Sequence, residues 1–208
     1  EIFNNDLLGL ISLLLIEAIY FYNFTTPEFN VNICQLPFWS SLVYFTWKIY
    51  DAKEIKFVDC LLVGSFAAFG FLSKYLFIYL LVSIGLLFIY LIFIKKNKKF
   101  DFKYLIILEV FIVLLIPHIL WLNKNDFVSI FYGLKRTGLD ESEIIDHLWH
   151  PVIFILKQIG ILIPFFSITF FLLKKIKLKI KFKDKKLVFL FFINLLPIIL
   201  IFITSIVK

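Results

Sequence analysis

The sequence has no methionine, only two cysteines, and charged residues at just 18% of its 208 positions. A water-soluble domain of this length needs a polar surface, and so few charges, gathered into short runs, cannot cover one. Cys34 and Cys60 lie inside apolar runs, too few and too far apart for a disulfide framework or a CxxC site; they read as small buried hydrophobes. The seven glycines form no phosphate-cradling loop. A GxSxG elbow is absent, as is any carboxylate pair at acid/base spacing. With Glu1 first, no Met anywhere and nothing resembling a signal peptide, the chain is expected to be a fragment of a longer protein.

What remains is apolar. Hydrophobic residues make up 62% of the chain and aromatic residues 20%, with 28 Phe and a mean hydropathy of +0.96. The runs are about 20 residues long, enough for a helix to cross a hydrocarbon core. The net charge of +7 does not point to nucleic acid, because the lysines cluster at helix ends instead of lining one face. The expected fold is an all-α integral membrane bundle of about seven transmembrane helices, one domain over residues 1–208, incomplete at its N-terminus.

The expected spans are 7–24, 31–49 (with Pro37 as a kink), two within 57–94, then 104–122, 152–173 and 187–207. Residues 57–94 are too many for one span, and Leu72-Ser73-Lys74-Tyr75 is the one plausible turn. Sixteen of the 22 basic residues fall on one side of this arrangement and five on the other, with Lys157 inside a span. Cytoplasmic loops carry the excess, so the N-terminus is expected in the cytoplasm and the C-terminus outside. The 123–150 loop then lies outside. There Asn125 or Asp126 is expected to cap a short helix with an apolar stripe of Phe127, Ile130, Phe131 and Leu134 and a polar stripe of Ser129, Tyr132 and Arg136. Gly138 would end it, and Asp140-Glu-Ser-Glu143 reads as a capping box for a second. Both would lie along the outer membrane surface, with Trp121 and Trp149 as interfacial anchors.

Several side chains are candidates for chemistry. Lys74, the only cation in its 38-residue apolar hairpin, either meets an anionic group such as a lipid phosphate or snorkels as a helix-end lysine. Arg136, beside Lys135, either joins Lys74 in clamping a phosphate or complements a helix dipole. Glu17, deep in the first span, should face the bundle, with Lys157 as a possible partner. Glu109 and Asp59 are expected to reach the interface. Glu143, His147 and His150 share one helical face that suits a divalent metal, although such residues more often form a solvated face.

Three stretches in order carry a family resemblance: Thr26-Pro-Glu-Phe-Asn-Val-Asn-Ile-Cys-Gln-Leu-Pro-Phe-Trp39, Gly70-Phe-Leu-Ser-Lys-Tyr75, and Pro117-His-Ile-Leu-Trp-Leu-Asn-Lys-Asn-Asp126 followed by Leu134-Lys-Arg136. They resemble the membrane-embedded sugar transferases of glycosyltransferase family 39, which include protein mannosyltransferases and the lipid A aminoarabinose transferase. The resemblance implies a GT-C fold in a bacterial inner membrane and sugar transfer from a polyprenyl-phosphate donor at the outer face. The acceptor is a lipid, glycan or protein. Lys74 and Arg136 would lie near the donor phosphate, with Asn32, Tyr75 and Tyr132 lining the outer cavity. The catalytic base is expected in an outer loop upstream of Glu1. Relatives often have Asp near the position of Asn32, and Tyr132-Gly133-Leu134 does not match members with a metal-binding His there, so no metal or other cofactor is expected. The rival readings are a transporter or flippase, which should show paired repeats of broken helices, and a structural subunit, which needs no outer cations.

Overall fold

The computed structural model describes residues 6–16, 19, 28–96, 99–136, 146–173 and 184–207. All regular structure among them is helical: α1 (Asp6–Ile16), α2 (Val31–Asp51), α3 (Phe57–Ser73), α4 (Ile78–Ile89), α5 (Lys103–Lys124), α6 (Val128–Arg136), α7 (Asp146–Leu173), α8 (Lys185–Leu190) and α9 (Leu196–Val207). A 3₁₀ turn, Tyr75–Phe77, leads into α4. The π-helical segments Tyr90–Ile94 and Phe191–Leu195 extend α4 and join α8 to α9.

The helices start where polar side chains replace missing backbone partners. Asn30 accepts from the Asn32 N–H at 2.9 Å, Asp101 from Lys103 N–H at 2.9 Å, and Asp184 from Lys186 N–H at 2.9 Å. Within α2, Pro37 deprives the Ile33 carbonyl of its helical donor, and α2 nonetheless runs on to Asp51.

Four stretches are long and apolar enough to cross a membrane: Tyr75–Ile94, Lys103–Lys124, Pro151–Phe171 and Lys185–Ile206. The expected count of seven is therefore too high among the described residues. α2 has the length, at 21 residues, but Asn32, Gln35, Ser40, Ser41, Thr46 and Lys48 dilute its apolar character. α3 stops after 17 residues, and only 11 residues of α1 are described. Two boundaries also move. Asn125 does not cap α6: its amide donates to the Trp121 carbonyl at 2.8 Å and closes α5, and α6 follows after Asp126 and Phe127 turn left-handed (φ 49° and 54°). α7 begins at Asp146 and passes through Pro151, so the helix starts six residues ahead of the expected span at 152–173, which its apolar stretch Pro151–Phe171 matches. The expected capping box at 140–143 lies outside the described residues.

α3 is the centre of the bundle, packed on both α2 and α5. Its small residues allow this. A Cβ on Gly64 would stand 2.7 Å from the Ile107 carbonyl oxygen and 2.9 Å from Val110 Cβ, so α5 approaches the α3 backbone directly. Cys60 and Ala68 beside it are fully buried. The core continues towards the lysine-rich end, where Trp47 meets Phe189 edge-on at 4.9 Å and the Tyr50 hydroxyl donates to the Lys185 carbonyl at 2.9 Å. Lys185 pairs with Asp51 at 2.7 Å, and Lys103 donates to the Ile55 carbonyl at 2.8 Å. Asp59, expected to reach the interface, is instead 6% exposed and paired with Lys48 at 3.3 Å. It faces α2 near the start of α3, and Lys48 comes from the last turn of α2 to meet it. By contrast the apolar stripe of α6 is exposed, as in a helix lying on a membrane surface.

Two changes test this packing. Gly64→Leu has to push α5 away and should cost about 2 kcal/mol or more, read as a lowered unfolding midpoint in detergent. Gly85→Ala, with nothing within 4 Å, should be neutral or slightly stabilising. Lys48→Ala should cost about 1 kcal/mol, because Lys48 is partly solvated while Asp59 is left buried and charged. Adding Asp59→Asn should recover most of that loss.

Candidate functional site

α3 ends with a forced break. Lys74 leaves the helix with an extended backbone (φ −161°, ψ 125°), while its N–H still reaches the Gly70 carbonyl at 3.2 Å. Its own carbonyl accepts from Phe77 N–H at 3.0 Å, which closes the 3₁₀ turn. The turn is tight because Phe77 folds back over α3. Its fully buried ring occupies the space that a side chain at Gly70 would need, and meets Trp39 of α2 edge-on at 5.5 Å.

The side chains on either side of this plug reach two other helices. Lys74 Nζ donates to Asn32 Oδ1 in the first turn of α2, where Asn30 caps the helix. Tyr75 packs beside Phe71, with centroids 5.4 Å apart, and its hydroxyl is 2.8 Å from His118 Nε2 of α5. The His118 ring in turn lies 12° from parallel with Trp121, centroids 5.9 Å apart. Asn30, Asn32, Lys74, Tyr75, His118 and Trp121 thus gather three helices at the end of the bundle opposite the lysine-rich one. Lys74 and His118 are both half-buried.

Chemically, the cluster suits an anion. An ammonium with three N–H donors stands where an apolar hairpin breaks, and the Oδ1 of Asn32 accepts from one of them. None of the six residues is a carboxylate. The His118 Nε2 is engaged by the Tyr75 hydroxyl.

Of the residues expected at the site, the structure joins Lys74 to Asn32 and places Tyr75 alongside. Tyr132 is not brought in: it is 64% exposed on α6, with no hydrogen bond or ring contact among the described residues. Arg136 ends α6, but its side chain lies outside the described residues, as do Glu17, Glu143 and the side chains of His147 and His150. Lys157 is exposed on α7. His118 is the residue that sequence reasoning passed over. The available signal was an ionisable side chain within an apolar span, a costly placement that invites a functional question.

Residues 1–121 match the family described as dolichyl-phosphate-mannose-protein mannosyltransferase. The match includes Asn32, Lys74, Tyr75, His118 and Trp121 and stops before Tyr132 and Arg136. No curated protein and no solved structure matches the chain.

Proposed function

Because the chain belongs to the dolichyl-phosphate-mannose-protein mannosyltransferase family, membrane glycosyltransferases of the GT-C type, we propose that its Lys74 end binds the phosphate of a polyprenyl-phosphate-linked sugar. The observation that carries this reading is the half-buried Lys74 ammonium, held by Asn32 at a helix break inside the matched region. In sugar transfer the bond from the anomeric carbon to the phosphate oxygen breaks, and negative charge grows on the departing polyprenyl phosphate. A fixed cation in a partly dehydrated site lowers the energy of that charge more than it stabilises the intact donor. Asn32 aims the ammonium, and Arg136 at the end of α6 supplies the second cation of the clamp. The sugar passes to a lipid, glycan or protein hydroxyl, whose proton goes to a carboxylate outside the cluster.

The same reading sets the orientation. The lysine-rich end, with Lys53, Lys99, Lys103 and Lys185 around a cavity of about 760 Å³, faces the cytoplasm, and the Lys74 end faces outward from a bacterial inner membrane. In a Cys34→Ala background, an impermeant thiol reagent applied to intact cells should label Lys124→Cys and spare Lys99→Cys. The reverse pattern would turn the bundle over and remove the site from the outer face.

In the intact protein, Lys74→Ala and Arg136→Ala should each weaken turnover with a polyprenyl-phosphate sugar by about 10-fold or more, the loss of one charge-assisted contact of about 1.5–3 kcal/mol. Both variants should still insert, since neither residue is needed to span. Lys135→Ala serves as the control and should matter less. Wild-type turnover in Lys74→Ala would sink the donor-site assignment.

A further inference from the structure

The turn that carries Lys74 is held from two sides. On one side Phe77 is locked between Gly70 and Trp39. On the other, Tyr75 is the tie to α5, through a single side-chain hydrogen bond to His118 that links positions 43 residues apart. Lys74 precedes Tyr75 directly, and its extended backbone lets the two side chains reach different helices, α2 and α5. Rotation of Tyr75 would carry the Lys74 backbone with it, because the 3₁₀ turn begins at that residue. His118 is itself restrained by its stack with Trp121, so it offers Tyr75 a fixed partner and not a mobile one. A half-buried imidazole in an apolar span is costly to keep unless such a partner satisfies it.

We propose that His118 is a positioning residue for Lys74: through its hydrogen bond to Tyr75 it fixes the turn so that the ammonium points at Asn32 and at the phosphate of the donor. This rests on the donor-site reading above. His118 needs no contact with the ligand. Its hydrogen bond survives in either ring state, since a neutral Nε2 accepts from the Tyr75 hydroxyl and a protonated one donates to it.

The test is a double-mutant cycle on the intact protein in detergent, with farnesyl phosphate as the probe and quenching of tryptophan fluorescence as the readout. His118→Phe and Tyr75→Phe should each weaken binding about 5-fold, the worth of one hydrogen bond. The double variant should bind no worse than either single one, because both remove the same bond. His118→Gln, which can still meet the Tyr75 hydroxyl, should restore binding to within about twofold of wild type. If His118→Phe loses its fold, Tyr75→Phe probes the same bond without touching the packing of α5. Wild-type binding in Tyr75→Phe, effects that multiply in the double variant, or no rescue by glutamine would each overturn the proposal. Lys74→Ala separates the two readings. If it binds the probe like wild type, the donor-site reading fails; if it loses binding while Tyr75→Phe does not, only the role of His118 fails.

Discussion

The space above Gly70 governs this end of the molecule. Phe77 can fold back onto α3 only because position 70 has no side chain, and that fold-back divides the long apolar run into α3 and α4. Trp39 closes over the ring from α2, so the same contact sets the approach of α2. Lys74 sits at the apex. Its extended backbone is the link between a helix ending at Ser73 and a turn beginning at Tyr75. The close α3–α5 contact at Gly64 works on the same principle less than two turns away, and brings His118 within reach of the Lys74 turn.

The two ends of the bundle are built differently. At the lysine-rich end, ion pairs, carbonyl contacts and edge-on aromatic rings tie α2, α3, α5 and α8 together around fully buried side chains. At the Lys74 end, two side-chain hydrogen bonds and a stacked ring do the same work. That division leaves the Lys74 end the less firmly tied of the two. Long, exposed apolar surfaces on α5 and α7 are as expected where the solvent is lipid.

The helices themselves were legible in the chain. A 38-residue apolar run must turn once to stay within a bilayer, and Ser73–Lys74 was the only polar interruption near its middle. The family was legible too, because loose motifs recur in order, and the match over residues 1–121 covers the first two of them and the start of the third. The count of spans was less so. α2 has the length of a span, but its polar side chains set it apart from the four apolar stretches. Asn125 was misplaced for a related reason: an Asn between two helices can close the first as readily as open the second, and the carbonyl that decides it belongs to Trp121, four residues back.

By itself, then, the sequence determined the features that arise between neighbours along the chain: helical spans, the break at Lys74, the segregation of lysines to one side and the membrane class. These depend on periodicity, length and charge within about 20 residues. Only the tertiary structure decided which side chains meet across helices. Lys74 finds Asn32 at a separation of 42 residues, Tyr75 finds His118 at 43, and Asp59 is buried against Lys48 instead of reaching the interface. Such pairings depend on how far apart and at what rotation α2, α3 and α5 pack. That is set by the volume missing at Gly64 and Gly70, and no local pattern records which helix fills it.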